Sequence, residues 1–176
     1  MSGATMHKIS RIVTLIAILI AFSGCTQHLV IGEYPMKPGM VPEFSGSEPL
    51  ALVNAQDNTG NVMIGSASGV KYTTSTHQMT NAAMEMLETE LEKRNISTHE
   101  DADKQLRLAV HDVSIVYPFA HFRCVLHLKA ETGGGYIGDF EGNNVAGQPE
   151  RACGGAVLRA VAAMLNDAAI QDYLRY

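Results

Sequence analysis

The chain has no tryptophan, only three cysteines and 6% aromatic residues. Charge is sparse at 18%, and no apolar run reaches the roughly 20 residues that a membrane-spanning helix needs. Each shortage excludes something. Three cysteines allow at most one internal bridge. Lys+Arg number 13 against Asp+Glu 18, a formal charge of −5, so the basic excess that drives nucleic-acid binding is missing and no nucleic-acid partner is expected. No solenoid period repeats along the chain, and neither a collagen-like nor a coiled-coil composition is present. What remains is a length of 176 residues with 46% hydrophobic content, enough for one ordinary packed domain.

The N-terminus reads as an address. His7, Lys8 and Arg11 form a short basic region, and Ile12 to Phe22 (IVTLIAILIAF) is an 11-residue apolar run interrupted only by Thr14. That length suits the apolar stretch of a secretory signal rather than a span. Phe22-Ser23-Gly24-Cys25 follows: small residues, then cysteine. The arrangement resembles the bacterial lipobox, with Phe22 where leucine is usual, and it implies cleavage before Cys25 and acylation of that residue. Several acyl chains on one cysteine hold a soluble domain on a membrane, each buried methylene contributing roughly 0.8 kcal/mol. Thr26, rather than aspartate, follows the cysteine. For a Gram-negative lipoprotein this implies the outer membrane, with the domain facing the periplasm. Without Lys8 and Arg11 the remaining chain keeps 11 basic against 18 acidic residues, a formal charge of −7. The anchor, not surface charge, then provides membrane attachment.

The expected organisation is a signal peptide at 1–24, a lipidated cysteine with a flexible tether at 25–49, and a single domain at 50–176. The tether holds four of the six prolines (Pro35, Pro38, Pro42, Pro49) with Gly32, Gly39 and Gly46. Within it, Leu29 to Ile31 is a candidate short edge strand. Leu50 to Ala55 and Asn61 to Ile64 read as short strands about an Asp57–Gly60 turn, and Gly65 to Thr76 reads as a loop. A first helix is expected over His77–Arg94, capped by Thr76, with Met79, Ala82, Ala83, Met86, Leu87 and Leu91 on its buried face.

Alternation then takes over. Leu106, Leu108 and Val110 point one way within Gln105–Val113, and Phe122, Cys124, Leu126 and Leu128 do so within His121–Ala130. The Gly133–Gly135 triplet turns the chain into a partner strand over Tyr136–Val145. A second helix is expected over Arg151–Leu174, with an alanine-rich stripe running from Ala152 to Ala168. The predicted class is α+β: an antiparallel sheet of about four to five strands with two amphipathic helices on one face.

No reaction is legible. Gly65-Ser66-Ala67-Ser68-Gly69 has alanine where a nucleophile elbow needs serine, and Gly65–Lys71 lacks the P-loop offsets. His99-Glu100-Asp101-Ala102-Asp103 has Asp103 where a zinc-protease helix needs its second histidine. The expectation is therefore a protein that is not an enzyme and uses no cofactor. Cys124 and Cys153 are the natural disulfide pair of an oxidising compartment, two buried thiols being the alternative. Arg107, His111, His121, Arg123, His127 and Lys129 fall on the outer sheet face, as a candidate partner-binding surface or simply a solvated one. His121 and His127 are about 20 Å apart by strand rise, too far to share an ion. No metal site is assigned.

Taken in order, the lipobox cysteine, the short strand pair, the helix ending Glu92-Lys93-Arg94-Asn95-Ile96, the strand Leu106–Val110, the long hairpin and the terminal segment Gly154–Asp167 resemble the YajG-like outer-membrane lipoproteins. The resemblance spans roughly Leu50 to Leu174 and lies in layout. It brings no catalytic residues. A broader likeness is to small lipoproteins that form rings or collars in secretion and flagellar systems. What these likenesses imply is a non-enzymatic envelope lipoprotein that binds another envelope protein or itself. The alternative expectation is a periplasmic ligand- or metal-binding module, marked by metal held between His111 and His127.

Overall fold

Alternating apolar residues along three long strands supply most of the core. The computed structural model describes residues 25–32 and 34–176, and the expected signal segment at 1–24 lies outside the described residues. In chain order the elements are β1 (Thr26–His28), β2 (Leu50–Asn54), β3 (Asn61–Ala67), β4 (Val70–Ser75), α1 (Thr76–Glu92), β5 (Lys104–Val116), β6 (Phe122–Thr132), β7 (Ile137–Ala146), α2 (Pro149–Leu165) and α3 (Ala168–Arg175). The class is α+β, with two mixed sheets and three helices. One sheet has the strand order β2-β5-β6-β7 and the other β1-β4-β3.

The predicted inward residues are inward. Leu106, Leu108 and Val110 of β5 and Cys124, Leu126, Leu128 and Ala130 of β6 are fully buried. Met79, Ala83, Leu87 and Leu91 of α1 and Ala152, Ala156, Ala160 and Met164 of α2 share the same core. Each large aliphatic side chain buried this way contributes roughly 1.5–3 kcal/mol. Small residues set the helix-to-sheet distance. Gly142 of β7 lies so close to α2 that a Cβ there would run into the Ala156 carbonyl.

The sheets are not purely antiparallel. β2 pairs parallel with β5, because the chain between them makes a crossover through the β3–β4 hairpin and α1. Asn61–Ile64 does not return beside β2. It opens β3, which pairs with β4 in the second sheet. The segment expected as a loop, Gly65–Thr76, completes that hairpin around Ser68 (φ 52°) and Gly69 (φ 80°). Two successive left-handed residues make the tight turn that suits strand twist, and Tyr72, Thr73 and Thr74 are good strand formers.

The helices differ from expectation at their ends. Ser75, not Thr76, caps α1, its side chain accepting from the Gln78 amide. The second helix is broken. α2 and α3 diverge by 70°, because Asp167 caps a new helix by accepting from the Ala169 and Ile170 amides. The predicted apolar stripe therefore ends at Leu165, and Ala168 is exposed. No single described helix is long and apolar enough to cross a membrane.

Residues expected as a flexible tether lie along the domain instead. β1 pairs parallel with β4, and Leu29, Val41 and Phe44 are buried. The Leu29 amide donates to the Thr73 carbonyl at 2.8 Å, and Asn166 donates to the Met40 carbonyl at 2.9 Å. The guanidinium of Arg94 lies over the Phe44 ring at 5.0 Å. Proline keeps the arm extended, and the apolar residues between the prolines give it something to bury.

Candidate functional site

The outer face of the four-stranded sheet is the side the helices leave open. His111 of β5 and His127 of β6 are directly paired, with ring centroids 5.5 Å apart. Asp139 of β7 stands diagonally from His127 and bridges both rings: its carboxylate lies 3.0 Å from His127 Nδ1 and 3.2 Å from His111 Nε2. Asp112 is 2.8 Å from His111 Nδ1. Both nitrogens of His111 thus face carboxylates.

A bulge builds this cluster. His111 pairs with His127 but Ser114 pairs with Val125, so β5 carries one extra residue. Asp112, at φ 49°, sits in that bulge and turns back toward its neighbour's ring. The bulge also reverses the alternation, so that Ile115 is buried beyond it. It is why β5 continues to Val116, past the Val113 at which sequence alternation fades.

The six residues expected on one cationic face are not one patch. Arg107, His111, His127 and Lys129 share its middle, and acidic partners stand opposite: Arg107 pairs with Glu131, His127 with Glu141 and Lys129 with Asp139. Arg123 lies toward one end of the sheet, opposite Val116 and Val145. His121 precedes β6, its ring 3.0 Å from the Phe119 carbonyl. The face carries both signs of charge side by side, because β7 brings acidic side chains that a single strand does not reveal. Beside it lies a hollow of about 170 Å³ lined by Ala55, Arg107, Ala109, Lys129 and Glu131. Among the described residues no group of three or more His, Cys, Asp or Glu side chains is arranged to hold a metal ion.

Cys124 and Cys153 form a disulfide, as expected, with Cα atoms 5.0 Å apart, tying β6 to the first turns of α2. Cys25 is the remaining cysteine, free and exposed. Its carbonyl accepts from the Lys71 amide at 2.9 Å, so the chain at Cys25 is already bonded to β4.

The β5–β6 turn is a feature that strand reading missed. Phe119 (φ 51°) and Ala120 (φ 65°) are both left-handed, and Phe119 is 96% exposed. The signal available in sequence was Tyr117-Pro118-Phe119, a proline flanked by aromatics between two alternating runs.

Scanned against protein-family models, the chain matches none, and no curated protein matches it. Among solved structures it is similar to protein XCC0632 from Xanthomonas campestris, described by the DUF330 family model. The TM-score is 0.45 at 10% identity, over 85% of this chain and 94% of that one.

Proposed function

We propose that this protein is a bacterial envelope lipoprotein of the YajG-like kind, held on the outer membrane through acyl groups on Cys25, its domain facing the periplasm. It works by binding rather than by catalysis. The observation that carries the reading is the state of the three cysteines. Two are joined inside the domain, and the third, which follows the signal-like segment and Ser23-Gly24, is exposed and free. That is the distribution an oxidising compartment and an acylated N-terminal cysteine call for. The partner is another envelope protein or a second copy of this chain. It meets the solvated outer sheet face or the free edge of β7, a 10-residue strand that among the described residues pairs only with β6.

Cys25→Ser tests the anchor. The substituted chain is expected to leave the membrane fraction and to lose palmitate labelling. Membrane retention without label would refute the anchor. The binding role is read by crosslinking the membrane-bound protein: a discrete self- or hetero-complex, lost on Asp139→Lys, is the expected result.

A further inference from the structure

The proposed anchor does not stand alone at its end of the molecule. Lys71, bonded to Cys25, is followed by Tyr72, whose ring meets Phe122 edge-on at 5.6 Å. Phe122 in turn packs on Tyr117 at 4.6 Å. The β5–β6 turn and Cys25 therefore share one end of the domain, joined by a short chain of aromatic contacts.

That end is apolar and unusually exposed. Phe119 has 96% of its surface in water, Val116 52% and Tyr117 41%. The turn that displays Phe119 holds two successive non-glycine residues at positive φ, a conformation costing roughly 1–2 kcal/mol per residue. A turn that holds a phenylalanine in water at such a cost is working against its own stability, a pattern that marks contact surfaces. Among the described residues, three exposed cations stand at this end: Arg123 pairs with Val116, Lys71 bonds to Cys25, and Arg151 lies beside Asn144, which pairs with Cys124. Glu150, next to Arg151, accepts a hydrogen bond from Gln27. This cationic rim stands out in a domain with a seven-charge acidic excess over residues 25–176.

We infer that the Val116–His121 turn is a second membrane contact, seating Phe119 and Tyr117 at the headgroup level beside acylated Cys25. The inference rests on the anchor reading and extends it to orientation. With β1 bonded to β4 there is no free tether after Cys25, so an acylated Cys25 brings this end to the bilayer. Aromatic side chains favour the interface, and Lys71, Arg123 and Arg151 match lipid phosphates. The domain then stands with its Gly133–Gly135 end farthest from the membrane.

The chain's lack of tryptophan makes the test direct. Protein expressed from the full chain with Phe119→Trp, Tyr117→Trp or Ile137→Trp is purified from membranes and reconstituted in phosphatidylethanolamine–phosphatidylglycerol vesicles, with and without brominated acyl chains. Mass spectrometry of Cys25 is run on the same samples. The expected result is an acylated chain with blue-shifted emission at positions 117 and 119 that loses most of its intensity to brominated lipid, while position 137 stays red and unquenched. An acylated chain unquenched at 117 and 119 overturns the membrane contact and leaves the anchor standing. Blue-shifted emission without quenching also overturns it, and assigns the turn to a protein partner. An unacylated Cys25 overturns the anchor and this inference with it.

Discussion

The two ends of the domain solve opposite problems. At the end opposite Cys25, polar side chains tie loose segments down. The Tyr173 hydroxyl donates to the Gln105 carbonyl at 2.9 Å and accepts from the Gln105 and Gly133 amides at 3.0 and 3.2 Å. Glu90 and Arg94, both buried, pair at 2.8 Å, and the arm's Phe44 lies against that guanidinium. At the Cys25 end, Phe119, Val116 and Tyr117 stand together in water on a turn that holds Phe119 and Ala120 at positive φ. Under the proposed membrane contact, the bonded segments hold the fold together and the displayed turn meets the bilayer. Internal stability and outward contact therefore have different residues behind them, and they respond to different substitutions.

The largest effect is expected from the covalent tie that underlies the displayed end. Reducing the Cys124–Cys153 bond, or replacing both residues by alanine, frees a loop with a sequence separation of 29. In the chain-entropy model this lowers stability by about 3–4 kcal/mol. Denaturant titration with and without reductant measures it. If the loss falls below about 1 kcal/mol, packing of α2 on β6 already orders that end without the bond.

The bonded end is sharpened by pH. Burial would raise the Glu90 carboxyl, but hydrogen bonds from Lys93 and Arg94, with their charges, outweigh it and hold the group below its ordinary value of 4.5. A depressed carboxylate adds stability above its unfolded value and loses it as pH falls through the folded one. Glu90→Gln is expected to cost about 2 kcal/mol at neutral pH, since it leaves Arg94 buried without its countercharge. The difference from the parent chain should shrink below pH 4.5. A gap that stays constant from neutral to acid pH would show that the pair contributes through shape rather than charge.

The smallest effect belongs to the displayed turn. Phe119→Ser removes an apolar side chain that is already in water, so stability should move by less than about 0.5 kcal/mol. A loss as large as that of Glu90→Gln would mean that Phe119 packs within the fold, and the contrast between the two ends would collapse.

Much of the architecture was readable along the chain. Leu106, Leu108 and Val110 alternate, Met79 through Leu91 recur at helical spacing, and the structure buries both sets. Those patterns report which side of one element meets the core, and one element suffices to state them. The Cys124–Cys153 bond was one of two expectations, with two buried thiols as the other, and the structure forms it. The Ser68–Gly69 turn, the Asp167 cap and the packed arm were missed. A loop and a hairpin share the same Gly/Ser/Thr composition, and Val41 and Phe44 are too sparse to show a period.

The candidate site divides in the same way. His111, His127, Arg107 and Lys129 could be placed on one face from alternation. Their acidic neighbours could not, since Asp139 and Glu141 reach that face only through the β6–β7 register, and Asp112 only through a bulge. Local periodicity is a property of the residues themselves and of water: apolar side chains recur on the side that leaves solvent. Parallel pairing of β2 with β5, the approach of Asp139 to two histidines and the meeting of Cys25 with the aromatic turn join residues far apart in sequence. Such contacts depend on how the crossover, the bulge and the register bring whole strands together. Sequence alone determined which faces of the long strands and helices turn inward, because local periodicity needs only one element to be stated. The tertiary structure alone decided which charges stand together and which end of the domain Phe119 shares with Cys25.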